Sequence, residues 1–469
     1  MRIAVVGGGL TGLVAARELA GSGHDVVLLE AADRFGGVVQ TVRRDGFLIE
    51  TGPESFVTRK PALLDLCHEL GLEGELVYGR ASGRTSVYAR GALRPLPAVV
   101  AFLPTRLRPL LASGILSPLE TLRVAADLVL PAGQIEADAT LGHVVGGRLG
   151  RAALDRLVAP LAAGIYGADP DRMSLAATYP EILEAARRGS LLRHAGRSRA
   201  RERDPAVPPF ATLRDGLGAL VDRLVEDRRG AELRAGVKVD RVVREREGWR
   251  LEIRGGEAIR AERLLLTVPA AEAARIVAVE SPGTARLLAA FRRVSTAVVT
   301  FAWDAGAVAV PDGNGFVVAR DAGLPITACT FSSSKWPGRA PEGRVLVRAY
   351  LGRSDDPLDP RAADEDLVRR ARAGLEAAAG WSAAPILSRV DRAEDAMPQY
   401  GVAHLDRVAE VERALESLPG VAVTGADYRG VGLADCVAQG RAAAQRLIGY
   451  HGSGEQGRHP GRSDARWGC

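Results

Sequence analysis

Residues 2–12 read Arg2-Ile3-Ala4-Val5-Val6-Gly7-Gly8-Gly9-Leu10-Thr11-Gly12, and their order decides the fold. Ile3–Val6 is a short apolar, β-branched run of the kind that forms a buried parallel strand. Leu10, Leu13, Val14, Arg17 and Leu19 come next at helical spacing, which predicts a helix over 10–22. Asp25-Val26-Val27-Leu28-Leu29-Glu30 reads as a second strand, completing a βαβ unit. Inside it, Gly7, Gly9 and Gly12 fit G-x-G-x-x-G. Gly7 permits the tight turn, Gly9 lets a pyrophosphate reach the positive helix N-terminus, and Gly12 lets the helix pack against the strand. Glu30 closes the second strand, where an acid can accept a hydrogen bond from a ribose 2′-OH. The unit predicts dinucleotide binding.

A single nucleotide-binding unit gives no reason for a second glycine loop. Arg34-Phe35-Gly36-Gly37 supplies a basic residue and a second pair of close-approach glycines, which suits a longer cofactor, FAD, threading past it. Val38–Glu50 reads as a hairpin about Arg44-Asp45-Gly46. At the other end of the chain, Val421–Thr424 reads as a buried strand, followed by the glycine-rich stretch 425–432 and a helix over about 434–448. The expected fold is therefore α/β (α+β), with a Rossmann-like FAD-binding domain assembled from discontinuous segments. Between those segments, Leu96–Pro131 is apolar, broken by prolines and arginines, and reads as short helices that either cover a substrate cavity or lie on a membrane surface. Arg197–Pro209 reads as an exposed loop and 451–469 as a disordered tail.

Composition narrows the function. With 469 residues, 47% hydrophobic and 25% charged, the chain can bury a large core. It has no apolar run long enough to span a membrane and no leader signal. Its scattered cysteines (67, 329, 436 and 469) suggest neither a zinc site nor a disulfide framework, so a soluble protein of the cytoplasm is expected. The net charge of +5 is almost all arginine spread along the chain, and aromatics are 5%, which does not describe a nucleic-acid face. The histidines show no metal spacing, and no Ser/His/Asp or Cys/His nucleophile arrangement is visible; no metal is expected, and His143 and His194 read as solvent-facing or structural.

The Glu30-x-x-x-Arg34-x-Gly36-Gly37 spacing and Gly52-Pro53-Glu54-Ser55-Phe56 resemble the FAD-dependent amine-oxidase superfamily. Pro160–Tyr166 running to Asp169-Pro170, Ser333–Pro341, Ala396–Tyr400 and Tyr428–Cys436 narrow the resemblance to the oxygen-dependent porphyrinogen oxidases, which act on coproporphyrinogen III or protoporphyrinogen IX in haem biosynthesis. The resemblance implies a flavin enzyme that aromatises a porphyrinogen in successive two-electron steps, with O2 reoxidising the flavin. The chemistry then belongs to the cofactor, and no side chain is named as a catalytic base. Coproporphyrinogen III, with its four carboxylates, is preferred for an arginine-rich chain. The alternatives are protoporphyrinogen IX, another flavin amine oxidase or carotenoid-type desaturase, and a flavin-free NAD(P)-binding regulator.

By the same matching, Gly52 and Pro53 pass the isoalloxazine, Glu54 and Ser55 are cofactor-binding residues of the same stretch, and Val239 meets the adenosine end. Gly425, Gly430, Val431, Gly432 and Leu433 approach the flavin from the C-terminal side. Arg84 faces a substrate propionate or is solvated, and Gly164 and Tyr166 line the macrocycle cavity. Lys335, set in Ser333-Ser334-Lys335-Trp336-Pro337-Gly338, reads as a surface residue. The expected division is an FAD-binding domain of 1–80, 211–285 and 415–450, a helical insertion of 92–205 and a mixed-sheet substrate domain of 81–91 and 286–414. Three positions depart from the family: Ala393 in place of Trp, Ala403 in place of Gly, and a reversed Gly167-Ala168 order. Oligomeric state and peripheral membrane contact stay open.

Overall fold

The computed structural model describes residues 1–79, 84–201, 208–359 and 361–449; the 451–469 tail and part of the expected 197–209 loop lie outside these. The opening unit forms as its pattern requires, with strands Arg2–Val6 and Asp25–Leu29 joined by a Leu10–Gly21 helix. They sit in a five-stranded sheet ordered Glu232–Arg234, Asp25–Leu29, Arg2–Val6, Arg263–Leu266, Val421–Val423. Every pairing is parallel, and Val5 lies beside both Leu28 and Leu265. Successive residues point to opposite faces, so both faces must be covered. Ile3 and Val5 pack with Leu13, Val14 and Val437, so helices Leu10–Gly21 and Leu433–Gly449 cover one side. Ala4 and Val6 pack with Val242, Trp249 and Val277 on the other. The two helices meet at Gly440, where a Cβ would stand 2.7 Å from the Thr11 carbonyl oxygen.

A second, seven-stranded sheet runs Leu387–Pro398, Arg293–Asp304, Arg344–Leu351, Ala328–Thr330, Gly315–Val318, Thr85–Ala89, Ala92–Pro95. Its pairings are antiparallel except that Gly315–Val318 lies parallel to Thr85–Ala89, so this sheet is mixed. Leu367, Ala371 and Leu375 of the Asp364–Ala379 helix fill one of its faces. Helices between 107 and 201 enclose a core of their own, and Val87 and Ala89 of the second sheet pack into it with Ala319, the residue after the Gly315–Val318 strand. The predicted hairpin forms with Asp45 and Gly46 as its turn, at φ +51° and +78°, the left-handed pair that an Asp-Gly loop supplies.

The loop reading of 197–209 needs correction, since the Leu191–Arg201 helix runs into it. Leu191, Leu192 and Ala195 anchor that helix in the core, and the Asp127 carboxylate accepts the Leu192 N–H at 2.9 Å. A charge at the helix start, with arginine and alanine after it, carries the helix into a stretch that looks merely polar.

The departures at 167 and 403 now have a physical reading. Gly167 closes the Ala159–Tyr166 helix at φ +57°, a conformation that asks for glycine at this position. Ala403 precedes the His404–Leu415 helix at φ +62°, where glycine would be unstrained. Ala403→Gly is therefore expected to stabilise the protein by about 0.5–1 kcal/mol, the left-handed penalty less the entropy that glycine adds to the unfolded chain. A melting curve checks this; a lower midpoint for the variant would mean that the Ala403 methyl contributes packing that outweighs its strain. Nothing in the structure explains Ala393.

Candidate cofactor and substrate site

Strands Arg2–Val6, Arg263–Leu266 and Val421–Val423 end along one edge of the parallel sheet. The chain leaves the central strand in one direction toward Asp25–Leu29, while Arg263–Leu266 lies on its other side. A crevice at such a switch point, beyond the carboxyl ends of the strands, is where α/β sheets bind ligands. Three glycines build its floor in different ways. Gly7 turns at φ +111°, and a Cβ there would stand 2.8 Å from Thr267 Oγ1. A Cβ on Gly12 would stand 1.9 Å from the Gly7 carbonyl oxygen, so the helix can approach the turn only without one. A Cβ on Gly9 would have no neighbour within 4 Å. Gly9 is also the N-cap of the first helix and offers no side chain to its free N–H groups. An open, positively polarised helix start is what a pyrophosphate needs.

The Glu30 carboxylate sits beside this turn, accepting the Gly8 N–H at 2.6 Å and the Ala32 N–H at 2.8 Å. Gly8, which sequence reasoning passed over, is needed as well, because a Cβ on it would strike Phe35 at 2.7 Å and Glu30 at 2.8 Å. The second loop closes directly on the first. Gly36 N–H donates to the Gly8 carbonyl at 2.8 Å, and a Cβ on Gly37 would lie 3.3 Å from Gly9 Cα. Arg34 is exposed and donates to the Gly37 carbonyl at 2.8 Å, bracing its own loop. Val239 is buried, with its carbonyl accepting from Arg275 at 2.7 Å. Beside Glu30 the contact comes instead from Val237, whose N–H donates to the Glu30 carbonyl at 2.8 Å. Thr267 was also missed; its hydroxyl donates to the Gly7 carbonyl at 2.7 Å and ties the turn to the neighbouring strand.

The Gly52–Ser55 loop bridges to the second sheet. A Cβ on Gly52 would stand 2.0 Å from the Val38 carbonyl oxygen, and the Gly52 carbonyl accepts Arg348 Nη2 at 2.6 Å. Pro53 and Ser55 are half-buried beside it. The Glu54 side chain is turned into the protein, where it accepts Ser332 Oγ at 2.6 Å, Trp336 Nε1 at 2.7 Å and Arg348 Nη1 at 3.2 Å. Lys335 Nζ stands 3.6 Å from the same carboxylate with 15% of its side chain exposed, so the surface reading of Lys335 is corrected. It lies over the Trp336 ring and supplies charge to a buried acid. Burial by itself would raise the Glu54 carboxyl, but Lys335, Arg348 and the two neutral donors outweigh it and bring it down to about 2. Burial pushes the Lys335 ammonium down, with Glu54 opposing.

The C-terminal loop returns to the same edge. Gly425 turns at φ +131°, with its Cβ position 3.7 Å from the Thr267 carbonyl oxygen, so the two loops face each other. Tyr400 straps this loop from outside: its hydroxyl donates to the Ala426 carbonyl at 2.6 Å and accepts the Gly430 N–H at 2.7 Å. His404 stacks on Tyr400 at 3.9 Å and bonds the Tyr428 carbonyl through Nε2 at 2.8 Å; burial lowers its pKa. Val431, Gly432 and Leu433 lead into the last helix, whose Asp435 pairs with Lys60 at 2.6 Å. His143 is exposed, and His194 Nε2 lies 3.5 Å from Ser198 Oγ.

Tyr166, at the end of the Ala159–Tyr166 helix, is buried with its ring 6.0 Å from Tyr179 and 6.3 Å from Tyr400, which brings it to the strapped loop. Gly164, two residues earlier and about half a turn round the helix, is exposed. Arg84 is exposed, and its carbonyl accepts the Asn314 N–H at 2.8 Å. The Asn314 carbonyl in turn accepts the Phe331 N–H at 3.1 Å, next to Ser332, so Arg84 sits at the end of the sheet that carries the Glu54 cluster.

The family model described as flavin containing amine oxidoreductase matches residues 10–448. The coproporphyrinogen III oxidase of Bacillus subtilis (strain 168) is 33% identical, with 96% of this chain and 98% of that protein covered. That of Propionibacterium freudenreichii subsp. freudenreichii is 37% identical, with 95% and 90% covered. A crystal structure of a protein from Exiguobacterium sp. 255-15, provisionally named a protoporphyrinogen oxidase, superposes with a TM-score of 0.85 at 34% identity over 95% of this chain and 98% of that one. The glycine cradle and Glu30 fit the adenosine and pyrophosphate half of FAD. The chain belongs to the flavin containing amine oxidoreductase family, in the group formed by the coproporphyrinogen III oxidases, and is an FAD-dependent oxidoreductase.

Proposed function

We propose that this enzyme oxidises coproporphyrinogen III to coproporphyrin III in haem biosynthesis, passing each pair of electrons to O2 and releasing H2O2. The observation that carries the reading is the extent of the likeness: relatives named for this activity match along both sheets and the helices between, well beyond the nucleotide-binding unit. FAD, when bound, supplies the two-electron acceptor at each step. Gly7, Gly9 and Gly12 receive its pyrophosphate, Glu30 takes the ribose, and Arg34, Gly36 and Gly37 close the second loop over it. Gly52, Pro53 and Ser55 flank the isoalloxazine, with Glu54 fixing that loop from behind; Val239 backs the adenosine. Gly425, Gly430, Val431, Gly432 and Leu433 complete the cradle. Gly164 and Tyr166 line the macrocycle space, and Arg84 faces a propionate.

In this reading 1–80, 211–285 and 415–450 form the FAD-binding domain, 92–205 the helical insertion, and 81–91 with 286–414 the substrate domain. No helix among the described residues is long and apolar enough to cross a membrane. In this reading the enzyme is cytoplasmic, and the exposed Leu119, Leu122 and Val129 support contact of its insertion with a membrane surface.

The test is an aerobic assay of the yellow protein with coproporphyrinogen III and protoporphyrinogen IX separately, against enzyme-free autoxidation. Porphyrin fluorescence is expected to rise with enzyme, faster for coproporphyrinogen III, with H2O2 accumulating in step. A faster rate with protoporphyrinogen IX would reassign the substrate, and no acceleration by FAD-loaded protein would overturn the reading.

A further inference from the structure

The loop from Gly425 to Leu433 faces the first glycine turn through Thr267, whose carbonyl lies beside Gly425 and whose hydroxyl donates to the Gly7 carbonyl. Much of what holds this loop comes from a distant segment. One atom, the Tyr400 hydroxyl, pins it at two points by donating to the Ala426 carbonyl at 2.6 Å and accepting the Gly430 N–H at 2.7 Å. Gln439 Nε2 takes the Gly430 carbonyl at 3.0 Å. Tyr400 has little freedom of its own: it is 2% exposed, its ring stacks on His404, and its carbonyl accepts the Ser174 N–H at 2.8 Å. The residue before it reaches a third element. Gln399 N–H donates to the Arg292 carbonyl at 2.9 Å, and Nε2 donates to the Tyr166 carbonyl at 2.9 Å, with the Met397 and Pro398 carbonyls at 3.3 and 3.2 Å sharing the same amide. The Tyr166 carbonyl belongs to the last turn of the Ala159–Tyr166 helix, where carbonyls have no partner within the helix. The Tyr166 ring lies 6.3 Å from the Tyr400 ring. Two consecutive residues at the end of strand Leu387–Pro398 thus fasten a helix end on one side and the C-terminal loop on the other.

We propose that Gln399 and Tyr400 are positioning residues: Tyr400 sets the loop that meets the flavin, Gln399 sets the Tyr166 wall of the macrocycle space, and their adjacency holds both in one frame. The inference rests on the reading of the enzyme as a porphyrinogen oxidase. Both side chains act through backbone groups of the elements they hold. Electron transfer between two bound rings depends on their alignment, and a small misplacement of either is costly. Without its hydroxyl, a residue at 400 would leave the Gly430 N–H and the Ala426 carbonyl facing a buried ring, a penalty the loop can relieve only by moving. Without its amide, a residue at 399 would free the Tyr166 carbonyl alone and leave the flavin loop tied.

The test compares parent, Tyr400→Phe and Gln399→Met as FAD-loaded enzymes. FAD release after dilution is followed by flavin fluorescence, binding of the product coproporphyrin III by porphyrin fluorescence, and turnover on coproporphyrinogen III by kcat and KM. Tyr400→Phe is expected to release FAD about 10-fold faster and to lower kcat about 10-fold, the effect of unpinning the loop at two points. Gln399→Met is expected to release FAD at the parent rate, while coproporphyrin III binding weakens about 10-fold and KM rises with it. FAD release and kcat unchanged in Tyr400→Phe would overturn the proposal, as would parent-like coproporphyrin binding by Gln399→Met. Lower melting midpoints without these changes would assign both residues to stability alone and overturn it equally. A parent that binds no coproporphyrin, with FAD still released faster from Tyr400→Phe, would sustain the hold on the flavin loop and overturn the oxidase reading.

Discussion

Glu54→Ala is expected to cost the folded protein about 3–5 kcal/mol, a fall of the melting midpoint of about 3–5 °C for a chain of this length. The size comes from what the substitution strands. Arg348 is 1% exposed and Lys335 15% exposed on their side chains, and both take their neutralising charge from this one carboxylate. Trp336 Nε1 and Ser332 Oγ would lose their acceptor in a buried setting. The Gly52 carbonyl would keep Arg348 Nη2 at 2.6 Å, so the arginine could not swing out to water without releasing the loop. Glu54→Gln keeps the shape and two of the acceptor contacts but not the charge, and should fall between parent and alanine. Adding Lys335→Met to it removes one uncompensated cation and should recover part of the loss, a coupling that a double-mutant cycle reads directly. A Glu54→Ala protein melting within about 1 °C of the parent would show that the cluster is solvated in practice.

The same cluster sets an acid limit. Glu54 is held at about 2 in the folded protein against 4.5 unfolded, so the folded state binds fewer protons between those values. Its contribution, about 3 kcal/mol, is fully present above pH 4.5 and is lost as the pH falls from 4.5 toward 2. Glu50 works in the opposite sense. Burial raises its carboxyl despite Arg339, so its part favours folding below the unfolded value and declines as pH rises through the folded one. Glu54→Gln should therefore flatten the acid limb of a stability–pH curve, and an unchanged limb would assign acid unfolding to other groups.

What the sequence disclosed and what it hid divide along contact range. Gly7, Gly9, Gly12 and Glu30 were legible because each answers a local backbone demand within one βαβ unit. The Asp45-Gly46 turn was legible for the same reason. Glu54 was found, but its partners Ser332, Trp336 and Arg348 lie 278, 282 and 294 residues away, and no periodicity connects them. A lysine among serines, prolines and glycine looks solvated until the opposing carboxylate is in place, which is why Lys335 reads as a surface residue from sequence. Thr267 carried one signal, a hydroxyl residue directly after a buried strand and before Pro269, but only the fold shows that it bonds Gly7.

Gly9→Ala and Gly12→Ala should fail in opposite ways, although the two residues belong to one motif. At Gly12 a methyl would stand 1.9 Å from the Gly7 carbonyl oxygen and 2.6 Å from Thr267 Oγ1. The first of these is backbone and cannot rotate aside, so helix and strand must separate; a loss of about 3 kcal/mol or more is expected even without cofactor. Gly9 has φ −70° and ψ 177°, extended backbone open to any residue, and no atom within 4 Å of its Cβ position. Alanine there should cost the apoprotein less than about 1 kcal/mol, the difference between glycine and alanine as an N-cap. The methyl would, however, project into the space where a pyrophosphate must meet the free N–H groups of the Leu10–Gly21 helix. FAD affinity should then fall on the order of 10–100-fold, equivalent to weakening one or two charge-assisted hydrogen bonds. The pair is read by melting the deflavinated proteins and titrating each with FAD. An apo-stable Gly9→Ala that binds FAD like the parent would move the pyrophosphate away from this helix. An apo-stable Gly12→Ala would mean the strand–helix turn can relax by more than an ångström.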